Sequence, residues 1–117
     1  MLKVEFTAED DYISFAMKGH AGQAEIGHDI VCSACSILAY TITQVIQTEA
    51  KEGSFKAKPY IVLESGNAYI VCQPKEEKYN EILHAFYVTA VGYTLLAHNY
   101  PQFVELKSFG GAEEALK

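Results

Sequence analysis

The stretch DIVCSACSILAYTITQVIQTEAKEG, residues 29–53, decides the architecture. Val31, Ala34, Cys35, Leu38, Ile42, Val45 and Ile46 recur at the spacing that places them on one face of a helix. Asp29 suits an N-cap and Gly53 a terminator, so the pattern predicts a helix from Ile30 to about Ala50. Before it, Leu2, Val4 and Phe6 alternate with Lys3, Glu5 and Thr7, and Tyr12 to Met17 resumes a strand pattern after Glu9-Asp10-Asp11, which predicts a hairpin. After it, Pro59 to Leu63 and Ala68 to Val71 flank the turn signal Ser65-Gly66-Asn67, a second hairpin that ends at Cys72. Tyr79, Ile82, Leu83, Phe86, Ala90, Tyr93 and Ala97 form a second helical stripe, which Pro101 stops. Phe103 to Leu106 reads as a short closing strand. The order ββαββαβ predicts a single α+β domain over residues 1–109, a mostly antiparallel sheet with two helices packed on it. Residues 110–117, opening with Gly110-Gly111, read as a mobile tail.

Composition bounds the function. A chain of 117 residues has room for one core, and with half of its residues hydrophobic and 21% charged it is not disordered. The weakly polar run Val88 to Ala97 is far shorter than the roughly 20 residues that span a bilayer. Met1-Leu2-Lys3-Val4-Glu5 lacks the order of a signal peptide, so a soluble cytoplasmic protein without membrane contact is expected. All 9 basic residues are Lys, against 15 acidic, for a net charge of −6. Without a basic face or Arg forks, direct nucleic-acid binding is not expected. Three cysteines, Cys32, Cys35 and Cys72, are an odd set and read as thiols, ligands or core residues rather than structural disulfides.

The chemistry lies around Gly19-His20-Ala21-Gly22-Gln23-Ala24-Glu25-Ile26-Gly27-His28-Asp29. So long a glycine-rich connection in a small domain reads as a lid or binding loop, mobile at Gly19, Gly22 and Gly27. With Asp29 as cap, Cys32 falls at the third helical position. There, unpaired amides and the positive helix end favour a thiolate. His20 is a candidate imidazolium partner for nucleophilic catalysis. Three other readings stay open beside it. A helical Cys is often a small hydrophobe; Cys32-Ser33-Ala34-Cys35 is a CxxC at a helix start, suited to thiol–disulfide exchange; and His20, His28, Cys32 and Cys35 make four possible zinc ligands.

Gly19-His20-Ala21-Gly22, then Gly27, then Asp29-Ile30-Val31-Cys32 and Ser36 resemble the signature of the bacterial ribosomal-processing cysteine protease family, Prp. The resemblance covers nearly the whole chain, and its specific part runs from the first of these segments through Cys32. It implies a homodimeric protease, needing no cofactor or metal, that removes the N-terminal extension of large-subunit ribosomal protein twenty-seven by cutting after aromatic residues. By position His20 is then the catalytic histidine, Cys32 the nucleophile and Asp29 the motif aspartate, for which capping is the favoured role over orienting His20. Ser33 and Cys35 depart from the small apolar residues usual after the nucleophile and create the CxxC. Tyr40, Phe86, Tyr87 and Tyr93 are candidates to line an aromatic slot. A non-enzymatic peptide-binding module in ribosome assembly is the alternative of another class.

Overall fold

Strict alternation in the first hairpin decides which side of the sheet is covered. Leu2, Val4 and Phe6 of β1 (Leu2–Glu9) and Ile13, Phe15 and Met17 of β2 (Tyr12–Lys18) are buried. Lys3, Glu5, Thr7 and Lys18 are exposed on the opposite side. The antiparallel register sets Val4 opposite Met17 and Phe6 opposite Phe15, which brings both apolar rows to one face. The two-residue turn places Asp10 in the left-handed region, at φ 57°, which aspartate tolerates better than most residues. The computed structural model describes residues 1–19, 28–64 and 66–109; at 28 and 29 it describes the backbone alone. The expected tail, residues 110–117, lies outside the described residues.

The second hairpin, β3 (Tyr60–Glu64) and β4 (Asn67–Cys72), joins the first through β4, whose Ala68, Ile70 and Cys72 pair with Met17, Phe15 and Ile13. The closing strand β5 (Val104–Lys107) runs parallel to β1, giving the order β3-β4-β2-β1-β5. The sheet is mostly antiparallel and the element order is the expected ββαββαβ. One element escaped the sequence reading, a short 3-10 turn at Glu76–Lys78 that leads into the second helix.

Both helices cover the apolar face. From α1 (His28–Lys51) the buried residues are Val31, Cys35, Ala39, Ile42 and Ile46; from α2 (Tyr79–Asn99) they include Ile82, Phe86, Ala90 and Tyr93. The helices approach closely at Gly92, where a Cβ would stand 2.9 Å from a methyl of Leu38. Phe6, Phe15 and Tyr93 form an aromatic cluster, with ring centroids 5.0 to 5.9 Å apart. Each such ring contributes about 1.5–3 kcal/mol by leaving water. Residues 30–51 of α1 are long and apolar enough to cross a membrane, a feature the sequence reading passed over in favour of the shorter Val88–Ala97. In the fold, one stripe of α1 packs into the core while Ile30, Ile37 and Tyr40 stay exposed.

The helix ends with Gly53 at φ 79°, its N–H donating to the carbonyl of Ala50, while the Ser54 hydroxyl donates to Glu49 Oε1 at 2.6 Å. Nearby, Asp11 in the first turn accepts from Lys56 Nζ at 2.7 Å and Gln73 Nε2 at 2.9 Å.

Candidate active site

The site is built at the end of the sheet where β2 finishes. Gly19 follows Lys18 with φ 138°, and a Cβ there would lie 2.3 Å from the Met1 carbonyl oxygen. Its N–H donates to the Gly66 carbonyl at 3.1 Å. Gly19 is therefore a glycine because the first residues of the chain lie across it, a steric reason beside the expected freedom of the loop. His20, Gly22 and Gly27 lie outside the described residues, as do the side chains of His28 and Asp29.

The chain is described again at α1, which starts at His28 rather than Ile30. Asp29 accordingly lies within the first turn instead of capping it. An acidic residue suits either place, since the carboxylate meets the same positive helix end. Cys32 becomes the fifth helical residue, not the third. It stands one turn in from the unpaired amides, though helical side chains lean back toward the N-terminus and thus toward them.

The three thiols have different surroundings. Cys35 is 0% exposed and Cys72 2% exposed, whereas Cys32 is half-buried against the core. Burial, followed by the nearby charge of Cys32, pushes the Cys35 thiol up to about 12; burial alone pushes Cys72 up to about 12. Covered by the core and held protonated near neutral pH, neither thiol is placed to attack a peptide, which leaves Cys32 as the candidate. Neither is bridged, so the CxxC is not closed into a disulfide.

The sequence pattern of the family described as cysteine protease Prp matches residues 1–105. The chain belongs to this family. It is thus a cysteine protease. Among solved structures, a ribosomal processing protease Prp from S. aureus in complex with a substrate peptide has 22% identity and a TM-score of 0.69, over 92% of this chain and 99% of the other. A second structure of the S. aureus protease, with a covalently linked product peptide, gives 22% identity and 0.65 over the same shares. A Streptococcus mutans protein reaches 26% identity and 0.66, covering 93% of this chain and 94% of its own. At these identities the S. aureus structures establish the Prp fold. No curated protein sequence matches the chain significantly.

Within this Prp fold the structure narrows the aromatic candidates. Phe86 and Tyr93 are 0% exposed and belong to the core, so they line no accessible slot. Tyr40 is exposed and Tyr87 half-buried, and both remain open to a ligand. Tyr93 instead has an organising role that the sequence reading missed. Its hydroxyl donates to the Cys35 carbonyl at 2.7 Å and lies 3.6 Å from Met17 Sδ, tying α2 to α1 beneath Cys32 and to β2. Burial, then the charge of Cys35, raises its phenol above the ordinary range. The available signal was its position in the apolar stripe of α2, because a tyrosine buried there needs a partner for its hydroxyl. Among the described residues no cluster of three metal-ligating side chains occurs. Of the four residues in the zinc reading, His20 and the side chain of His28 lie outside them.

Proposed function

We propose that this Prp-family cysteine protease removes the N-terminal extension of large-subunit ribosomal protein twenty-seven, cutting after aromatic residues, with Cys32 as nucleophile and His20 as acid and base. The observation that carries the assignment is the contrast among the thiols: Cys35 and Cys72 are buried with raised pKa values, and Cys32 is partly exposed near a helix start. The Cys32 thiolate attacks the peptide carbonyl, His20 protonates the leaving amine, and water activated by His20 hydrolyses the acyl-enzyme. Amides at the start of α1 stabilise the oxyanion. The peptide complexes of the S. aureus relative support a peptide substrate. With a ribosomal protein as substrate, the reading includes a cytoplasmic location.

The test is incubation with a peptide carrying a Phe-Phe-Ala processing site, read by mass. Cleavage after the aromatic pair supports the reading; an intact peptide with wild-type enzyme, or cleavage that survives Cys32→Ala, rejects it. The pH profile is expected to be bell-shaped, with its alkaline limb lost in His20→Ala.

The proposal includes a homodimer, supported by α1. Residues 30–48 carry no charge in a chain of net −6, yet Ile30, Ile37 and Tyr40 are 66%, 60% and 54% exposed. An uncharged apolar face can meet a copy of itself without like-charge repulsion. A monomeric mass in solution for wild type, or a dimer that survives Ile37→Glu combined with Tyr40→Glu, would reject the homodimer.

A further inference from the structure

Cys35 is the departure from the family pattern that peptide cleavage leaves unexplained. It lies one turn beyond Cys32 on α1, and ideal helix geometry separates residues so spaced by about 5 Å between Cα atoms. That is inside the range of about 4.4–6.8 Å over which disulfides form. The two sulfurs differ in access: Cys32 is half-buried, and Cys35 is fully covered by the core. The Cys35 carbonyl accepts the Tyr93 hydroxyl at 2.7 Å, which anchors the backbone of this turn of α1 to α2.

We propose that Cys32 and Cys35 close into a reversible disulfide under peroxide, with Cys35 as the resolving thiol, and that this bond switches the protease off and shields its nucleophile from irreversible oxidation. The switching role rests on Cys32 being the nucleophile; the bond itself does not. In the first step the Cys32 thiolate attacks hydrogen peroxide, the O–O bond breaks, and sulfenic acid forms with release of hydroxide. In the second, the Cys35 sulfur attacks the Cys32 sulfur, the S–O bond breaks, and the departing hydroxide takes the Cys35 proton as water. Two thiols lose two electrons and one peroxide becomes two waters. A dithiol reductant reverses the change by exchange.

The unequal surroundings suit this order of events. Buried and held protonated, Cys35 does not meet the oxidant itself. Conversion of Cys32 to a neutral sulfenic acid removes the neighbouring negative charge that helps keep Cys35 protonated, so the resolving thiol becomes easier to ionise once it is needed. Cys72, on β4 and opposite Ile13, is an internal control, buried like Cys35 but on a different element.

The experiment treats the full chain with hydrogen peroxide raised stepwise from one equivalent to a several-fold excess, alkylates it, maps the cysteines by mass, and assays the Phe-Phe-Ala peptide before treatment, after it, and after dithiothreitol. Expected for wild type are a Cys32–Cys35 link, cleavage reduced to background, and full return on reduction. Cys35→Ala and Cys35→Ser, two ways of removing the sulfur from a packed site, should cleave before treatment. Afterwards they should carry added oxygen at Cys32 that reduction does not fully remove. Wild-type Cys32 that gains oxygen without a link, that pairs with Cys72 or with another chain, or that stays unmodified would overturn the proposal. Cleavage without the link sinks the disulfide and its switch but leaves the processing reading standing; the link without any cleavage supports the disulfide and sinks the processing-site reading.

Discussion

The two ends of the sheet are held by different means. At one end the segment after α1 is bonded to the segment after β4 through backbone, Lys56 N–H to the Gln73 carbonyl and Lys75 N–H to the Ser54 carbonyl, and side chains add to this: Asp11 receives Lys56 and Gln73, and Ser54 bonds to Glu49. At the other, where β2 runs out toward the loop and α1 begins, the described contacts are backbone against backbone, with Gly19 under the Met1 carbonyl and bonded to Gly66. Side-chain staples at a surface are individually weak and replaceable, whereas a backbone crossing with no space for a Cβ makes any side chain costly. The difference teaches that the site end is shaped by exclusion of side chains, whereas the far end adds side-chain pairing to its backbone bonds.

Four changes sharpen or break that contrast. The largest effect is expected at the site end: Cys32→Ala should lower peptide cleavage by about 10³-fold or more with an unchanged melting temperature, since it removes the proposed nucleophile from a partly exposed position. Next is Gly19→Ala, which forces a positive φ on alanine and a clash with backbone. It should destabilise by about 1–3 kcal/mol in thermal or urea unfolding. Tyr93→Phe follows, with about 1 kcal/mol lost by removal of a buried hydroxyl from the Cys35 carbonyl, and a slower cleavage rate if α1 shifts beneath Cys32.

The smallest effect belongs to the far end. The hydrogen bond from Lys56, followed by that from Gln73, holds the Asp11 carboxyl below its ordinary value of 3.8. Its contribution to stability is therefore complete above that value and is lost as pH falls through the lower folded value. Asp11→Asn should flatten that part of the melting temperature profile and change little at pH 7, because the pair is solvent-exposed. Greater destabilisation at pH 7 from Asp11→Asn than from Gly19→Ala would refute the division between the ends.

Most of the fold could be read from periodicity alone. Leu2, Val4 and Phe6 alternate with charged or polar neighbours, and a period of two admits only one buried face. The parallel pairing of β5 with β1 was not legible, because Phe103 to Leu106 says that a strand exists and nothing about its neighbour. The helix start moved from Ile30 to His28 for a related reason: Asp29 satisfies the chemistry of a cap and of a first turn equally. At the site, Cys32 was recognisable from its surrounding motif. The unsuitability of Cys35 and Cys72 required tertiary burial to be seen, as did the removal of Phe86 and Tyr93 from the aromatic slot.

The parallel pairing of first and last strands has a consequence for biosynthesis. β1 lies between β2, complete at Lys18, and β5, which begins at Val104. At roughly 5–20 residues per second, the intervening chain takes on the order of ten seconds to emerge. Whenever β1 and β2 pair within that interval, one side of β1 is left with unpaired amides and carbonyls. Lys3 and Glu5 stand on its uncovered face, placing both signs of charge where a stray strand would have to dock. The nascent chain thus carries its own guard against mispairing until its final strand arrives.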